Sequence, residues 1–175
     1  MKTTLLTAAA LGLVVSGALT AKAAADAPRA QVIFDHPDKF TDVRDQEFPT
    51  DRGRDAILKT LRDFIVREAG YQVPTGCKLT ITFTDIDLAG KFEPWRGPDF
   101  DEIRIIKPIY PPDFKFTYVV TDAAGTIVKQ GREDICDLAF QMRITLDSND
   151  PLRYEKSILS DWMRSTLRGV RTSGS

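Results

Sequence analysis

Residues 78–87, KLTITFTDID, alternate apolar and polar side chains along most of their length. Leu79, Ile81 and Phe83 fall on one face of an extended strand, and threonines fall on the other. A strand of this kind buries one face and leaves the other in water. The chain must therefore supply a second layer that covers the apolar face of a sheet.

The same alternation continues in residues 113–134, which predict a β-hairpin. The aromatic and aliphatic residues of the first arm share one face, and DAAG at 122–125 supplies the turn. Shorter strands are predicted at 30–34 (AQVIF) and 102–107 (EIRIIK). Together these segments predict a sheet of four to five strands.

Two amphipathic segments predict helices that cover this sheet. Residues 51–69 carry apolar residues at helical spacing, and Gly70 is predicted to end the helix. In the second segment Asp150 is predicted to cap the first turn, with Pro151 at the first helical position. Its buried stripe consists of Ile158, Leu159, Trp162, Met163 and Leu167. The predicted fold is α+β: a two-layer sandwich in which two helices pack on one face of a mixed, mostly antiparallel sheet.

The first 25 residues are typical of a cleaved secretory signal peptide. A lone Lys2 precedes an apolar run that is too short to span a membrane, and small residues follow it. Residues 26–175 are then expected to form a single α+β domain in the periplasm or outside the cell, without a transmembrane segment. Loss of Lys2 and Lys22 leaves 22 basic residues against 25 acidic ones. A net charge of about −3 disfavours nucleic acid as a partner.

Two stretches, PDKFTDV at 37–43 and DPLRYEKSILSDWM at 150–163, carry a resemblance to a known family. Together with the hairpin TDAAGTIVKQGRED at 121–134, they are similar to small exported bacterial proteins catalogued as domain of unknown function 3016. The resemblance implies export and a chain of this length. It implies no activity, no cofactor and no catalytic residue.

Cys77 and Cys136 are the only cysteines, and export would place them where disulfides persist. One bridge closing a loop of about 60 residues would stabilise the fold. Two free, buried thiols are the alternative, because spacing in the sequence says nothing about the distance between them. Both alternatives remain open at this point.

The sequence lacks the motifs of most enzyme classes. His36 is the only histidine, no serine lies in a G-x-S-x-G turn, and no H-E-x-x-H or phosphate-binding glycine motif occurs. We expect no cofactor. The chemistry that remains open is that of a hydrolase using carboxylates alone.

The Asp-rich connection, residues 35–45, allows two interpretations. Asp35, Asp38 and Asp42 could hold a hard cation, although their spacing does not match a calcium-binding loop. Alternatively the segment is an ordered connection between a strand and a helix, with Phe40 and Val43 turned inward. In both cases Pro37 is expected to keep His36 extended.

The Pro-rich excursion, residues 85–114, is the candidate for binding. It contains five prolines, which stiffen a loop, and aromatic residues that offer contact area with few rotors. The candidate binding residues are Trp95, Arg96, Phe100 and Tyr110. The alternative is that Trp95 and Phe100 fold back as a lid over the core.

The segment LRYEK, residues 152–156, is a third candidate. Its charged residues could form a solvated, salt-bridged helix face. Alternatively, Arg153 and Tyr154 could anchor the second helix against the Asp-rich connection.

These observations favour a non-catalytic accessory or binding domain that contacts a protein or another envelope component. The contact would use the Pro-rich excursion or the threonine face of the sheet. The alternative is a carboxylate-based cation-binding protein or hydrolase that uses the Asp-rich connection together with Asp85 and Asp87. That alternative requires at least three of these carboxylates to converge on one concave site.

Overall fold

The computed structural model describes residues 28–97, 102–145 and 147–170. The predicted signal peptide lies outside the described residues. The main sheet has four strands in the order β1-β2-β5-β6, and a small second sheet pairs β3 with β4. The strands are β1 (Ala30–Phe34), β2 (Lys78–Asp87), β3 (Lys91–Phe92), β4 (Arg104–Ile105), β5 (Asp113–Thr121) and β6 (Ile127–Cys136).

The register of the main sheet explains its one-sided core. β1 runs parallel to β2, whereas the β2–β5 and β5–β6 pairs are antiparallel. Leu79 lies opposite Val120 and Phe83 opposite Phe116, so the apolar residues of both strands share one face. The alternation seen in the sequence is therefore the inside–outside alternation of the sheet.

Two helices cover this face: α1 (Asp51–Gln72) and α2 (Arg153–Leu167). Leu61 and Ile65 of α1 and Leu159 of α2 are buried in the same apolar cluster as the strands. The predicted α+β architecture, with a mixed and mostly antiparallel sheet under two helices, is confirmed.

Trp162 anchors α2 to the sheet. Its ring meets Phe116 edge to face at a centroid distance of 4.7 Å and Tyr118 at 5.3 Å. Only 6% of the side chain remains exposed. The predicted position of Trp162 on the buried stripe is confirmed.

Several element boundaries differ from those predicted. Gly70 lies within α1, which continues to Gln72 and ends where Val73 becomes extended in front of Pro74. The segment predicted as a strand at 102–107 pairs only through Arg104 and Ile105.

The start of α2 also differs from the prediction. It begins at Arg153, because the Asp150 side chain accepts the Leu152 amide at 2.9 Å and closes a tight turn before the helix.

The Asp-rich connection is ordered, as one interpretation of the sequence required. Phe40 and Val43 are buried, and Pro37–Lys39 form a short 3-10 helix. The expectation for His36 was wrong, since it adopts a left-handed conformation with φ of 50°. Histidine is among the residues that tolerate this region, and the Asp35 carboxylate lies 2.7 Å from His36 Nδ1.

Candidate functional site

The Asp-rich connection and the Pro-rich excursion meet at one end of β2. The Asp42 amide donates to the Ile86 carbonyl, and the Leu88 amide donates to the Asp42 carbonyl, each at 3.0 Å. This short parallel bridge brings the two segments together through the backbone. Side chains that are far apart in the sequence can therefore form one cluster here.

Asp42 is the centre of that cluster, and its side chain is only 1% exposed. Arg44 Nε and Arg104 Nη2 each lie 3.0 Å from Asp42 Oδ1. Lys91 Nζ lies 3.2 Å from Asp42 Oδ2 and 2.6 Å from Asp87 Oδ1. Three cations therefore surround two carboxylates, and the two arginines bind Asp42 in the forked geometry that suits a guanidinium.

The pKa values of the two neighbouring carboxylates, Asp42 and Asp87, are shifted in opposite directions. Burial alone would raise the pKa of Asp42, but hydrogen bonds from Arg44 and Arg104 lower it to about 2. For Asp87 burial is the larger effect, and its pKa is raised although Lys91 acts in the opposite direction. Asp42 is thus charged at neutral pH.

A second buried carboxylate, Glu93, fixes the Pro-rich excursion. Lys107 Nζ and Arg96 Nε each donate to it at 2.5 Å, and Tyr110 Oη does so at 3.1 Å. The hydrogen bond from Lys107 is the main cause that lowers the pKa of Glu93 to about 2, and burial opposes it. One side chain therefore links residues 93–96 of the excursion to residues 107–110.

The anchored loop leaves large apolar side chains in water. Trp95 is 72% exposed in the short 3-10 helix Pro94–Arg96, directly after Glu93, and Ile109 is also 72% exposed. Ile103 is exposed next to β4. We call these three exposed apolar residues of the Pro-rich excursion the Trp95 surface.

A pocket of about 310 Å³ lies between this loop and the end of the sheet, with Ile109 and Tyr110 in its wall. Its charged lining residues are Asp85, Asp87, Asp113, Lys91 and Lys115. Lys91 binds Asp87, and Lys115 lies 3.3 Å from Asp85 and 3.6 Å from Asp113. Each aspartate in the pocket therefore has a lysine partner.

The chain was compared with known protein families, curated proteins and solved structures. A family model described as a protein of unknown function (DUF3016) matches residues 28–165. The chain belongs to this family. No curated protein and no solved structure matches it.

The DUF3016 match spans every candidate residue, and the structure assigns these residues different roles. Trp95 faces water, so its interpretation as a lid over the core was wrong. Arg96 and Tyr110 both bind Glu93 and support the loop. Phe100 lies outside the described residues.

The alternative cation site is not assembled from the three aspartates of the Asp-rich connection. Asp42 is occupied by protein cations, whereas Asp35 is half exposed beside His36. Across residues 28–97, 102–145 and 147–170, no three His, Cys, Asp or Glu side chains are grouped to hold a metal ion. Asp35, Asp38 and Asp42 thus do not form the site that the alternative required.

Both cysteines of this DUF3016 chain are free, so the structure contradicts the bridge. Cys77 is buried just before β2, whereas Cys136 is exposed and pairs with Asp113, which lies opposite Asp87 at the far end of β2. Ten residues of strand at about 3.3 Å each place the thiols roughly 30 Å apart. A disulfide needs Cα atoms within about 7 Å.

The LRYEK segment anchors α2, but not through the residues expected. Tyr154 packs edge to face on Phe140 and does not reach the Asp-rich connection. Instead Glu155, 1% exposed, accepts the Ala89 amide at 2.8 Å and ties α2 to the turn after β2. Its second oxygen, Oε2, is buried without a partner among the described residues.

The sequence analysis did not identify Glu93, Arg104 or Glu155 as organising residues. Lys107 and Tyr110 lie 14 and 17 residues from Glu93, and Arg104 lies 62 residues from Asp42. These separations follow no helical or strand period. The only local signal was Glu93 followed by Arg96 at a spacing of three residues.

Proposed function

We propose that the protein is an exported, non-catalytic binding domain that contacts a protein or another envelope component through the Trp95 surface. The observation that carries the proposal is the contrast within one loop. Glu93 is fully buried and holds Lys107, Arg96 and Tyr110, while Trp95 is left 72% exposed. A rigid loop with an outward aromatic residue suits recognition.

Binding through Trp95 has a favourable free-energy contribution and a small entropic cost. An exposed indole gains free energy when a partner removes it from water. A loop that is already fixed by a buried carboxylate loses little further conformational entropy when it binds. The threonine face of the sheet also carries Ile33, which pairs with Thr82, but Ile33 is 40% exposed whereas Trp95 and Ile109 are each 72% exposed. We therefore rank the threonine face as the weaker of the two surfaces expected from the sequence.

Export is supported by the signal-peptide pattern of residues 1–25. No helix in the described part of the chain is long and apolar enough to cross a membrane. Intact-mass measurement of the purified protein, together with fractionation of the cells, tests export. A chain that retains its first 20 residues would contradict cleavage.

The carboxylate alternative receives less support from the geometry. Of the five aspartates it could use, only Asp85 and Asp87 line the pocket, and a lysine binds each of them. Convergence of three of the five was required. We therefore favour binding over hydrolysis.

The experiment compares two exposed aromatic residues. Mature protein, immobilised, is used to capture components of an envelope extract, and Trp95→Ala is compared with Tyr71→Ala. Tyr71 is 80% exposed on α1, so both changes delete a large solvent-facing ring. We expect Trp95→Ala to lose a specific component that wild type and Tyr71→Ala retain, with circular dichroism unchanged in both. Equal capture by all three proteins would refute the proposed surface.

A further inference from the structure

A second cavity lies away from the Trp95 surface, between α1 and α2. Its volume is about 610 Å³, and residues 143–145 together with Asp147 and Asp150 line its third side. We call it the interhelical groove. Its size falls within the range of pockets that bind small organic molecules.

Most basic side chains of the interhelical groove are neutralised within the protein. Arg143 and Arg164 each lie 2.5 Å from Asp161, and Lys156 lies 2.5 Å from Asp150. These three cations therefore have carboxylate partners. Their partners, Asp161 and Asp150, are two of the four acidic residues in the lining.

Two arginines of the groove differ from these three. Arg67 on α1 and Arg153 on α2 have no carboxylate partner among the described residues, and each stacks on an aromatic ring. The Arg67 guanidinium lies 5.6 Å from the Phe64 ring centroid, and that of Arg153 lies 4.4 Å from the Tyr154 centroid. A cation–π contact uses the charge of the guanidinium and leaves its N–H groups able to donate hydrogen bonds.

Among the described residues, the hydrogen bonds of Arg153 go to two neutral acceptors. It donates to the Asp150 carbonyl at 3.3 Å and to Tyr154 Oη at 3.2 Å. A guanidinium carries five N–H donors, so further donors of Arg153 remain for a ligand.

The remaining acidic side chains of the groove are engaged by neutral donors. Glu68 Oε1 accepts from Ser160 at 2.9 Å and from Gln72 at 3.1 Å. Asp147 Oδ1 accepts the Asn149 amide at 2.9 Å. The lining has five basic and four acidic residues, and Arg143 also pairs with Asp137 outside the lining, so the charges of the groove nearly balance. The cationic donors that no carboxylate of the described residues binds are those of Arg67 and Arg153.

The rest of the lining suits an organic anion. Ser157 Oγ accepts from Arg143 Nη1 at 3.4 Å, so its hydroxyl hydrogen is available to donate. Phe64 and Ile144 add apolar surface to the same groove. The groove thus offers charged donors, a hydroxyl donor and apolar contact.

We propose that the interhelical groove binds a small organic anion with a phosphate or carboxylate group. Arg67 and Arg153 hold the oxyanion by charge-assisted hydrogen bonds, which are the strongest class of hydrogen bond that side chains make. The apolar part of the molecule lies against Phe64 and Ile144. This site is independent of the proposed Trp95 surface.

The test uses inorganic phosphate and succinate as probes, titrated into the mature protein at constant ionic strength by calorimetry. We expect saturable binding of at least one probe with Kd on the order of 1 mM or tighter. Arg67→Gln and Arg153→Gln should each weaken it about tenfold or more, because each removes hydrogen bonds to a charged group. Arg67→Gln is the decisive variant, since no hydrogen bond within the described residues depends on Arg67.

The matched control is Arg62→Gln, which removes an exposed arginine of α1 that stacks on Phe34 outside the groove. It should bind the probe as wild type does. No saturable binding of either probe would overturn the proposal, as would wild-type affinity in Arg67→Gln. An equal loss in Arg62→Gln would also overturn it, since it would indicate a response to total charge.

Discussion

The two tryptophans of the chain occupy opposite environments. Trp162 is 6% exposed and packs on Phe116 and Tyr118, whereas Trp95 is 72% exposed on a loop. The surroundings of the two rings are held together by different forces. Trp162 is held by aromatic contacts in the core, whereas Trp95 follows Glu93, whose ion cluster anchors the backbone of the loop.

The difference extends to the two regions in which they lie. The space between sheet and helices is filled with aliphatic and aromatic side chains. The end of the sheet instead depends on Asp42 and Glu93, two buried carboxylates with several cationic partners each. The apolar region should therefore respond to the volume of its side chains, and the polar end should respond to charge and pH.

The largest effect is expected from Trp162→Ala. Deletion of a buried aromatic ring typically costs about 3 to 5 kcal/mol, a large part of the roughly 5 to 15 kcal/mol that stabilises a domain. We expect little soluble protein, and urea unfolding of the remainder should show the loss.

Trp162→Phe is the control for this prediction. It keeps an aromatic ring and removes an indole N–H that has no partner among the described residues. It should therefore cost clearly less than Trp162→Ala. A stable Trp162→Ala variant would mean that α2 is not held to the sheet by this residue.

A somewhat smaller effect is expected at the polar end, from Asp42→Asn. The change leaves Arg44, Arg104 and Lys91 around a neutral amide, and the loss of one partner in a buried charge cluster costs about 3 kcal/mol. Urea unfolding at neutral pH measures it. Asp35→Asn is the control, because Asp35 is 52% exposed and its one ion-pair partner among the described residues is His36. Equal effects of the two changes would contradict the central role of Asp42.

Asp42 also predicts how wild-type stability depends on pH. Its folded pKa of about 2 lies below the ordinary value of 3.8, so its contribution is present above about pH 4 and is lost as the pH falls towards 2. The difference corresponds to about 2.5 kcal/mol at neutral pH. The acid-induced loss of stability should therefore be smaller in Asp42→Asn than in wild type.

Glu155 should show the opposite dependence on pH. Burial raises its pKa above the ordinary 4.5, so its protonated form is favoured in the fold and stability is lost as the pH rises through the folded pKa. Glu155→Gln keeps an acceptor for the Ala89 amide and removes this dependence. Its stability relative to wild type should therefore increase from pH 4.5 to pH 8. A difference in stability between the two proteins that stays constant over this range would contradict the effect of Glu155.

The apolar region was predictable from the sequence because its information is local. β1 and β2 have the predicted bounds. The alternation of apolar and polar residues also determines which face of each strand is buried. Trp162 was assigned to the core by helical spacing alone. These patterns need no knowledge of distant residues.

The polar end was not predictable in the same way. Asp42 appeared as one of several aspartates, and nothing near it pointed to Arg104 as its partner. His36 was expected to be extended, but the turn into Pro37–Lys39 requires a left-handed residue there. Trp95 lies on a loop that Glu93 anchors, and two partners of Glu93, Lys107 and Tyr110, are distant from it in the sequence. A loop without periodicity carries no pattern from which such partners can be found.

The smallest effect on stability is expected from Trp95→Ala, and it tests the contrast between the two tryptophans directly. A surface substitution of this kind changes the free energy of unfolding by about 0.5 kcal/mol or less. Urea unfolding should thus hardly distinguish the variant from wild type, although the ring removed is the same as in Trp162→Ala.

Glu93→Gln provides the complementary change: it weakens the bonds to Lys107 and Arg96 and should loosen the loop while Trp95 remains. If the Trp95 surface binds because its loop is rigid, Glu93→Gln should reduce capture of the envelope component even though the indole is intact. Full capture by Glu93→Gln, or a loss of stability in Trp95→Ala close to that in Trp162→Ala, would show that the two regions are not distinguished in this way.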